Sequence, residues 1–317
     1  MINVVQLDTS LLGLQERKGE QVMHAEDFGP PEASCEHRIR IVTGETCRVA
    51  EARGLKSLLI PVINARAEQI SPEAAARLMV SEVRRYLSLG SDIEEVTFAL
   101  PDEKGVEAFR RVAVRQKIVC LGDSITYGYP DGPPCSWVTV VAAATGYPFI
   151  NRGISGETTG QMLARFERDV AAEEPAYVIF AGGHNDGWMG ISLAEVQENI
   201  IAVVNRAFAN GICPILVLPS PLNIRQMLQC YEGTQEEARR YFTRLEQIRQ
   251  WIRQYAGERG LLTLDFHTPL LDGNSGQGDP RYLLDGGHPT HQGYRILGEA
   301  VIKQLAGRLH FSNALME

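Results

Sequence analysis

The stretch that decides the fold is Lys117-Ile118-Val119-Cys120-Leu121-Gly122-Asp123-Ser124-Ile125-Thr126-Tyr127-Gly128. It opens with a short apolar run of the kind that a strand buried on both faces presents, and the run stops at Gly122. The same pattern recurs downstream. Strand-like runs at 148–151, 177–181, 214–218 and 261–265 alternate with helical patterns at 162–172, 193–210, 235–256 and 292–309. Strand then helix, repeated, predicts parallel βαβ units. The fold class is therefore α/β, a three-layer α/β/α sandwich around a parallel sheet.

Upstream of Lys117 the chain reads differently. Residues 2–7 are a strand candidate, and residues 13–36 are polar and carry Gly29-Pro30-Pro31, which reads as a long loop. A short apolar run at 39–42 precedes a helix at 46–53 that ends at Gly54. Residues 56–63 form a buried strand run. Ser71-Pro72-Glu73 starts a helix with serine as N-cap and proline at its first position. Ala75, Leu78, Met79, Val83 and Leu87 give that helix one apolar face. A strand at 94–100 and a helix at 105–114 complete a smaller α/β module. The expected organisation is an accessory domain at 1–115, a main domain at 116–310 and a tail at 311–317.

Composition narrows the classes. The 317 residues are 44% hydrophobic and 22% charged, which excludes wholesale disorder and suffices for a full core. The net charge is −8, and both halves are acidic, so no basic surface for nucleic acid is expected. No apolar run reaches the ~18 residues of a membrane span. Met1 to Asp8 lacks a basic start followed by a long apolar stretch, so no secretory signal is expected and the location read from the sequence is cytoplasmic. Six cysteines lie far apart with no C-x-x-C pair, and reduced thiols are expected.

The chemistry gathers where strands end, as it does in open α/β sheets. Ser124 stands just beyond a strand, where a nucleophile is placed. The Gly-x-Ser-x-Gly elbow is excluded because Thr126 occupies the second glycine position, and no lysine follows to make a phosphate-binding loop. The next strand hands over to Arg152-Gly153-Ile154-Ser155-Gly156-Glu157-Thr158-Thr159, and the third to Gly182-Gly183-His184-Asn185-Asp186. Near the C-terminus stands Asp285-Gly286-Gly287-His288-Pro289, where a carboxylate three residues before a histidine can orient one ring nitrogen while the other faces outward. Each block alone reads as an ordinary turn or helix cap. Four of them at strand ends in one chain order do not.

These four blocks resemble those of the SGNH, or GDSL-type, hydrolases over about 117–305, with Ile125 in place of the usual leucine, and 151–165 is most similar to the lysophospholipase/thioesterase branch. The resemblance implies Ser124 as nucleophile, His288 as general base and Asp285 as its orienting group. It implies an oxyanion hole from the backbone N–H groups of Ser124 and Gly153 with the Asn185 side chain. It implies a small-molecule ester substrate, either a short acyl or acetyl ester, acetylated sugars included, or a lysophospholipid or thioester, and no metal or organic cofactor. Asp123, His184 and Trp188 are expected at the pocket, with His184 shaping its rim, while His267 and His291 read as structural or surface residues without ligand-type partners. Residues 37–113 resemble part of a macro domain, through 53–61, 71–76 and 93–100. The ligand loops of that family are not visible in residues 9–40, so no nucleotide-like ligand is carried over. A truncated α/β module that packs on the hydrolase or mediates self-association is the expectation, and a non-catalytic binding protein is the rival reading.

Overall fold

The computed structural model describes residues 1–6, 35–62, 70–273 and 275–312. Most of the loop read across 13–36, and the end of the tail read across 311–317, lie outside these residues.

The chain divides into two compact units, one of residues 1–115, 208–213 and 307–317, the other of residues 116–207 and 214–306. In the first, β1 (Ile2–Gln6), α1 (Cys35–Ala52), β2 (Ser57–Pro61), α2 (Pro72–Ser88), β3 (Glu95–Leu100) and α3 (Glu103–Ala113) alternate along the chain. The strands form a parallel sheet in the order β1-β3-β2. Phe98, Phe109, Val80, Val83 and Leu87 fill its core. One helix differs from expectation. α1 begins at Cys35, so the apolar run at 39–42 is helical rather than separate. Its fully buried residues, Thr43, Gly44, Cys47 and Ala50, recur along one side, and contact with α2 overrides the β preference of Ile39, Ile41 and Val42.

Polar groups inside this unit serve structure. Fully buried Arg84 donates to the carbonyls of Val112, Ala113 and Arg115 and so closes the C-terminal end of α3. Glu82, also buried, pairs with Arg40 at 3.1 Å and Arg85 at 2.5 Å.

The second unit runs through β4 (Ile118–Gly122), α4 (Ser124–Tyr127), α5 (Trp137–Thr145), β5 (Phe149–Gly153), α6 (Thr159–Ala164), α7 (Phe166–Asp169), β6 (Tyr177–Ala181), α8 (His184–Met189), α9 (Leu193–Ala209), β7 (Cys213–Leu218), α10 (Ile224–Cys230), α11 (Gln235–Arg259), β8 (Thr263–Asp265) and α12 (His291–Leu305). Its strands order as β5-β4-β6-β7-β8, with parallel pairing at β4/β5, β4/β6 and β7/β8. β4, β6 and β7 are buried along their whole length, as their unbroken apolar sequence requires. The direction of strand addition reverses between β4 and β6, and the carboxyl ends of those two strands open the crevice that such a reversal creates.

The helix read at 162–172 is broken. α6 and α7 meet at Arg165, whose guanidinium turns inward to Glu157 at 2.6 Å, Asp169 at 2.9 Å and the Gly122 carbonyl at 3.0 Å. Three acceptors for one buried cation outweigh the continuation of a helix.

Candidate active site

Gly122 ends β4 because only glycine fits there. A Cβ would lie 2.1 Å from Thr126 Oγ1 and 2.9 Å from the Ala181 carbonyl. The next residue, Asp123, is buried and caps α4 by accepting from Ile125 N at 2.9 Å. Burial raises its pKa to about 6, against the opposing pull of that backbone bond and of His288. Asp123 is thus a cap beneath the site and not among the residues that line its cavity, in contrast to the pocket role expected from the sequence. The cap turns Ser124 into the crevice, where its Oγ lies 2.9 Å from His288 Nε2.

His288 is fixed from its other nitrogen. Nδ1 lies 2.7 Å from Asp285 Oδ2. A carboxylate only accepts, so Nδ1 carries the proton and Nε2 presents a lone pair to the Ser124 hydroxyl. Asp285 Oδ1 accepts from the backbone N–H groups of His288 at 2.8 Å and Gly287 at 3.1 Å, which curls the loop so that a separation of three residues brings acid and base together. Gly286 makes the curl possible. Its φ is +88°, and a Cβ there would meet Met227 N at 2.5 Å. Burial pushes the Asp285 carboxyl up, but the hydrogen bonds from His288 and Tyr231 prevail and hold it well below the usual range. The Tyr129 ring packs on the imidazole with centroids 4.4 Å apart.

A cavity of about 200 Å³ is lined by Ser124, Ile125, His184, Asn185, Trp188, Leu222, Met227, Tyr231, Tyr241, Asp285, Gly287 and His288. Asn185 commits one amide N–H to the Glu157 carbonyl at 2.9 Å and retains a second donor. Gly153 closes β5, opposite Gly122 in register, and its N–H already donates to Asn151 Oδ1 at 2.9 Å. The oxyanion role expected of Gly153 therefore has no free donor behind it. Gly156, three residues on in the same loop, has φ +86° and open space about its Cα, and its N–H donates to no described residue.

His184 does line the cavity, yet it is buried, with Nδ1 2.8 Å from the Tyr241 hydroxyl and Nε2 3.0 Å from Ser220 Oγ. Desolvation, then the nearby charges of Arg249 and His288, push its pKa down to about 3. It is a neutral strut at the start of α8. Asp186, in the same first turn, accepts from both the N–H and the hydroxyl of Thr159 and ties α8 to α6. Trp188 is half exposed, 5.7 Å from Tyr241 and 5.9 Å from Tyr231 between ring centroids. Trp188, Met227, Tyr231 and Tyr241 also line a second cavity of about 590 Å³, which continues past Met189 to Glu237, Arg240 and Arg244.

Sequence reasoning missed Tyr231, which sits in no recognisable block and reaches the site only through tertiary folding. It also left His291 without a partner. His291 Nε2 in fact lies 3.1 Å from Asp131 Oδ2, and ligand atoms of Asp131, Cys135 and His291 all lie within 4.8 Å of one another at an exposed corner.

The sequence model of the GDSL-like Lipase/Acylhydrolase family matches residues 120–296, which takes in the end of β4, the serine, the asparagine block and the Asp285–His288 loop. The chain belongs to that family. Among relatives of this GDSL-type chain, the esterase TesA of Pseudomonas aeruginosa is 33% identical over 110 residues, 33% of this chain and 55% of that protein. The match thus spans about half of TesA. An acetylxylan esterase from Geobacillus stearothermophilus is 24% identical over 212 residues, 62% of this chain and 96% of that one. A solved structure of a lipolytic protein of the G-D-S-L family from Desulfitobacterium hafniense is similar at TM-score 0.52 and 32% identity, covering 60% of this chain and 99% of that one.

Proposed function

We propose that this GDSL-type hydrolase cleaves small carboxylic esters through an acyl-enzyme on Ser124. The observation that carries the reading is the continuous relay from Ser124 Oγ through His288 to Asp285, at 2.9 Å and 2.7 Å, opening on one cavity. His288 Nε2 takes the hydroxyl proton as Oγ bonds to the acyl carbon, and the carbonyl electrons move to oxygen. The oxyanion is met by the N–H of Ser124, the free N–H of Asn185 and, in place of Gly153, the N–H of Gly156. Collapse expels the alkoxide, which leaves as alcohol with the proton held on Nε2. Water, deprotonated by the same nitrogen, then attacks the acyl-enzyme, and the carboxylic acid departs as Ser124 regains its proton.

The inner cavity of about 200 Å³ favours a short acyl group such as acetyl, and the adjoining cavity of about 590 Å³ accommodates a larger alcohol portion. Its Trp188 and Tyr231 faces beside charged groups fit a carbohydrate alcohol better than a second long chain. The experiment is a p-nitrophenyl ester series from acetyl to octanoyl, run beside acetylated saccharides and acyl-CoA, on wild type and Ser124→Ala. Highest kcat/KM at acetyl, abolished by the substitution, is the expected result. A maximum at octanoyl overturns the short-acyl assignment, and undiminished activity in Ser124→Ala overturns the serine mechanism.

The first unit is read as an accessory module that supports self-association, and a cytoplasmic location is supported by six free thiols. No helix among the described residues is long and apolar enough to cross a membrane. Light scattering of the full chain tests the self-association: a dimer mass supports it and a monomer mass at high micromolar concentration ends it.

A further inference from the structure

We infer that Tyr231 is a positioning residue of the hydrolytic relay, holding Asp285 in the orientation and charge state that His288 requires; this rests on the serine mechanism above. The Tyr231 hydroxyl donates to Asp285 Oδ2 at 2.5 Å, the same oxygen that accepts from His288 Nδ1. The other oxygen takes two backbone N–H groups. Asp285 therefore accepts four hydrogen bonds, and its two side-chain donors converge on a single oxygen. Tyr231 stands just beyond α10, and its own N–H is anchored on the Met227 carbonyl at 2.9 Å. The hydroxyl is thus delivered by a helix end rather than by a free loop.

The placement does two things at once. A neutral donor on Oδ2 shares the carboxylate charge, so less of it is concentrated on the imidazole than an Asp–His pair alone would supply. The ring itself forms wall common to both cavities and packs near Trp188. Whatever alcohol group occupies the outer cavity touches the residue that holds the acid. The remaining titratable groups facing Asp285 and His288 are Asp123, Tyr129, His184, Tyr241 and Tyr294. His184 is held neutral by burial and the Tyr241 and Tyr294 phenols stay protonated, while Asp123, pushed up to about 6 by burial, is present alike in wild type and variant, so the displacement between the two acid limbs reads the Tyr231 hydroxyl.

Tyr231→Phe removes the hydroxyl and keeps the ring. With one donor gone, the carboxylate charge falls more fully on His288 and favours its protonated form. The acid limb of the kcat/KM profile is expected to move to higher pH by about half a unit or more, and kcat at the optimum to fall roughly tenfold. KM for p-nitrophenyl acetate, which is too small to depend on the outer wall, is expected to stay within twofold. Trp188→Ala serves as the contrast, since it alters the shared wall without touching Asp285 and is expected to leave the acid limb in place. A Tyr231→Phe enzyme with unchanged kcat and an unchanged acid limb overturns the inference. So does a change confined to KM, which would make Tyr231 a wall residue only. Ser124→Ala assayed in parallel separates the two levels: if it is inactive while Tyr231→Phe behaves as wild type, only the positioning role falls. If Ser124→Ala retains activity, the underlying mechanism falls instead.

Discussion

Both units contain a parallel strand followed by an aspartate that caps the next helix, and the two turns do different work. After β3, Asp102 accepts from Gly105 N at 2.8 Å and starts α3, with Glu103 and Lys104 facing solvent. After β4, Asp123 accepts from Ile125 N at 2.9 Å and starts α4, but the residue it releases into the crevice is Ser124. The capping physics is the same. What differs is whether the tertiary structure brings an imidazole to meet the side chain that the turn presents. The same contrast runs through the buried polar groups. In the first unit Glu82 and Arg84 are consumed by ion pairs and by the open end of a helix, whereas in the second Asp285, Ser124 and Asn185 converge on a cavity. A buried polar group becomes functional when one of its bonding sites is left facing a space that a ligand can enter.

The largest test of this contrast is Ser124→Ala, expected to lower kcat on p-nitrophenyl acetate by at least about 10⁴-fold with an unchanged circular dichroism spectrum. Asp102→Ala at the equivalent turn is expected to leave kcat unaltered. Next, Asn185→Ala is expected to reduce kcat by about 10²- to 10³-fold with little change in KM, since its amide acts on charge that develops only in the transition state. A raised KM with kcat unchanged would make it a ground-state contact.

On the stability side, Glu82→Ala removes the buried carboxylate that the half-buried guanidinium groups of Arg40 and Arg85 share and is expected to destabilise the first unit by about 2 kcal/mol, read from urea unfolding. Its kcat should match wild type; a catalytic defect would break the division of labour between the units. The smallest effect concerns pH. His184 has a folded pKa pushed down to about 3 against 6.5 unfolded, so the unfolded chain binds the proton first. Its contribution leaves stability unchanged above pH 6.5 and erodes it as the pH falls from 6.5 toward 3. Replacing His184 with Gln is expected to flatten the urea midpoint across that window, and an equally steep decline in the variant would assign the acid sensitivity elsewhere.

Much of the site could be read along the chain because its key residues are local to their strand ends. Ser124 follows β4, Asn185 follows β6, and Asp285 and His288 are three apart in one loop, so short-range sequence carries their relation. Gly153 and Gly156 could not be told apart that way. Both are glycines of one loop, and only the fold-back of Asn151 onto Gly153 N–H decides which donor remains free. Tyr231 was invisible for a related reason: it meets an acid 54 positions away, through a helix end whose direction no local pattern encodes. The run at 39–42 reads as separate from the helix at 46–53 because Ile39, Ile41 and Val42 are poor helix formers in isolation, and packing against α2 draws them into α1.

The sequence by itself determined the alternation of strands and helices, the parallel sheet and the residue types at its carboxyl edge, because apolar periodicity and capping act over a few residues. Only the tertiary structure decided which nitrogen of His288 faces Ser124, which loop N–H is free and which tyrosine holds Asp285. Those are questions of whether a donor already has an acceptor, and acceptors arrive from distant parts of the chain.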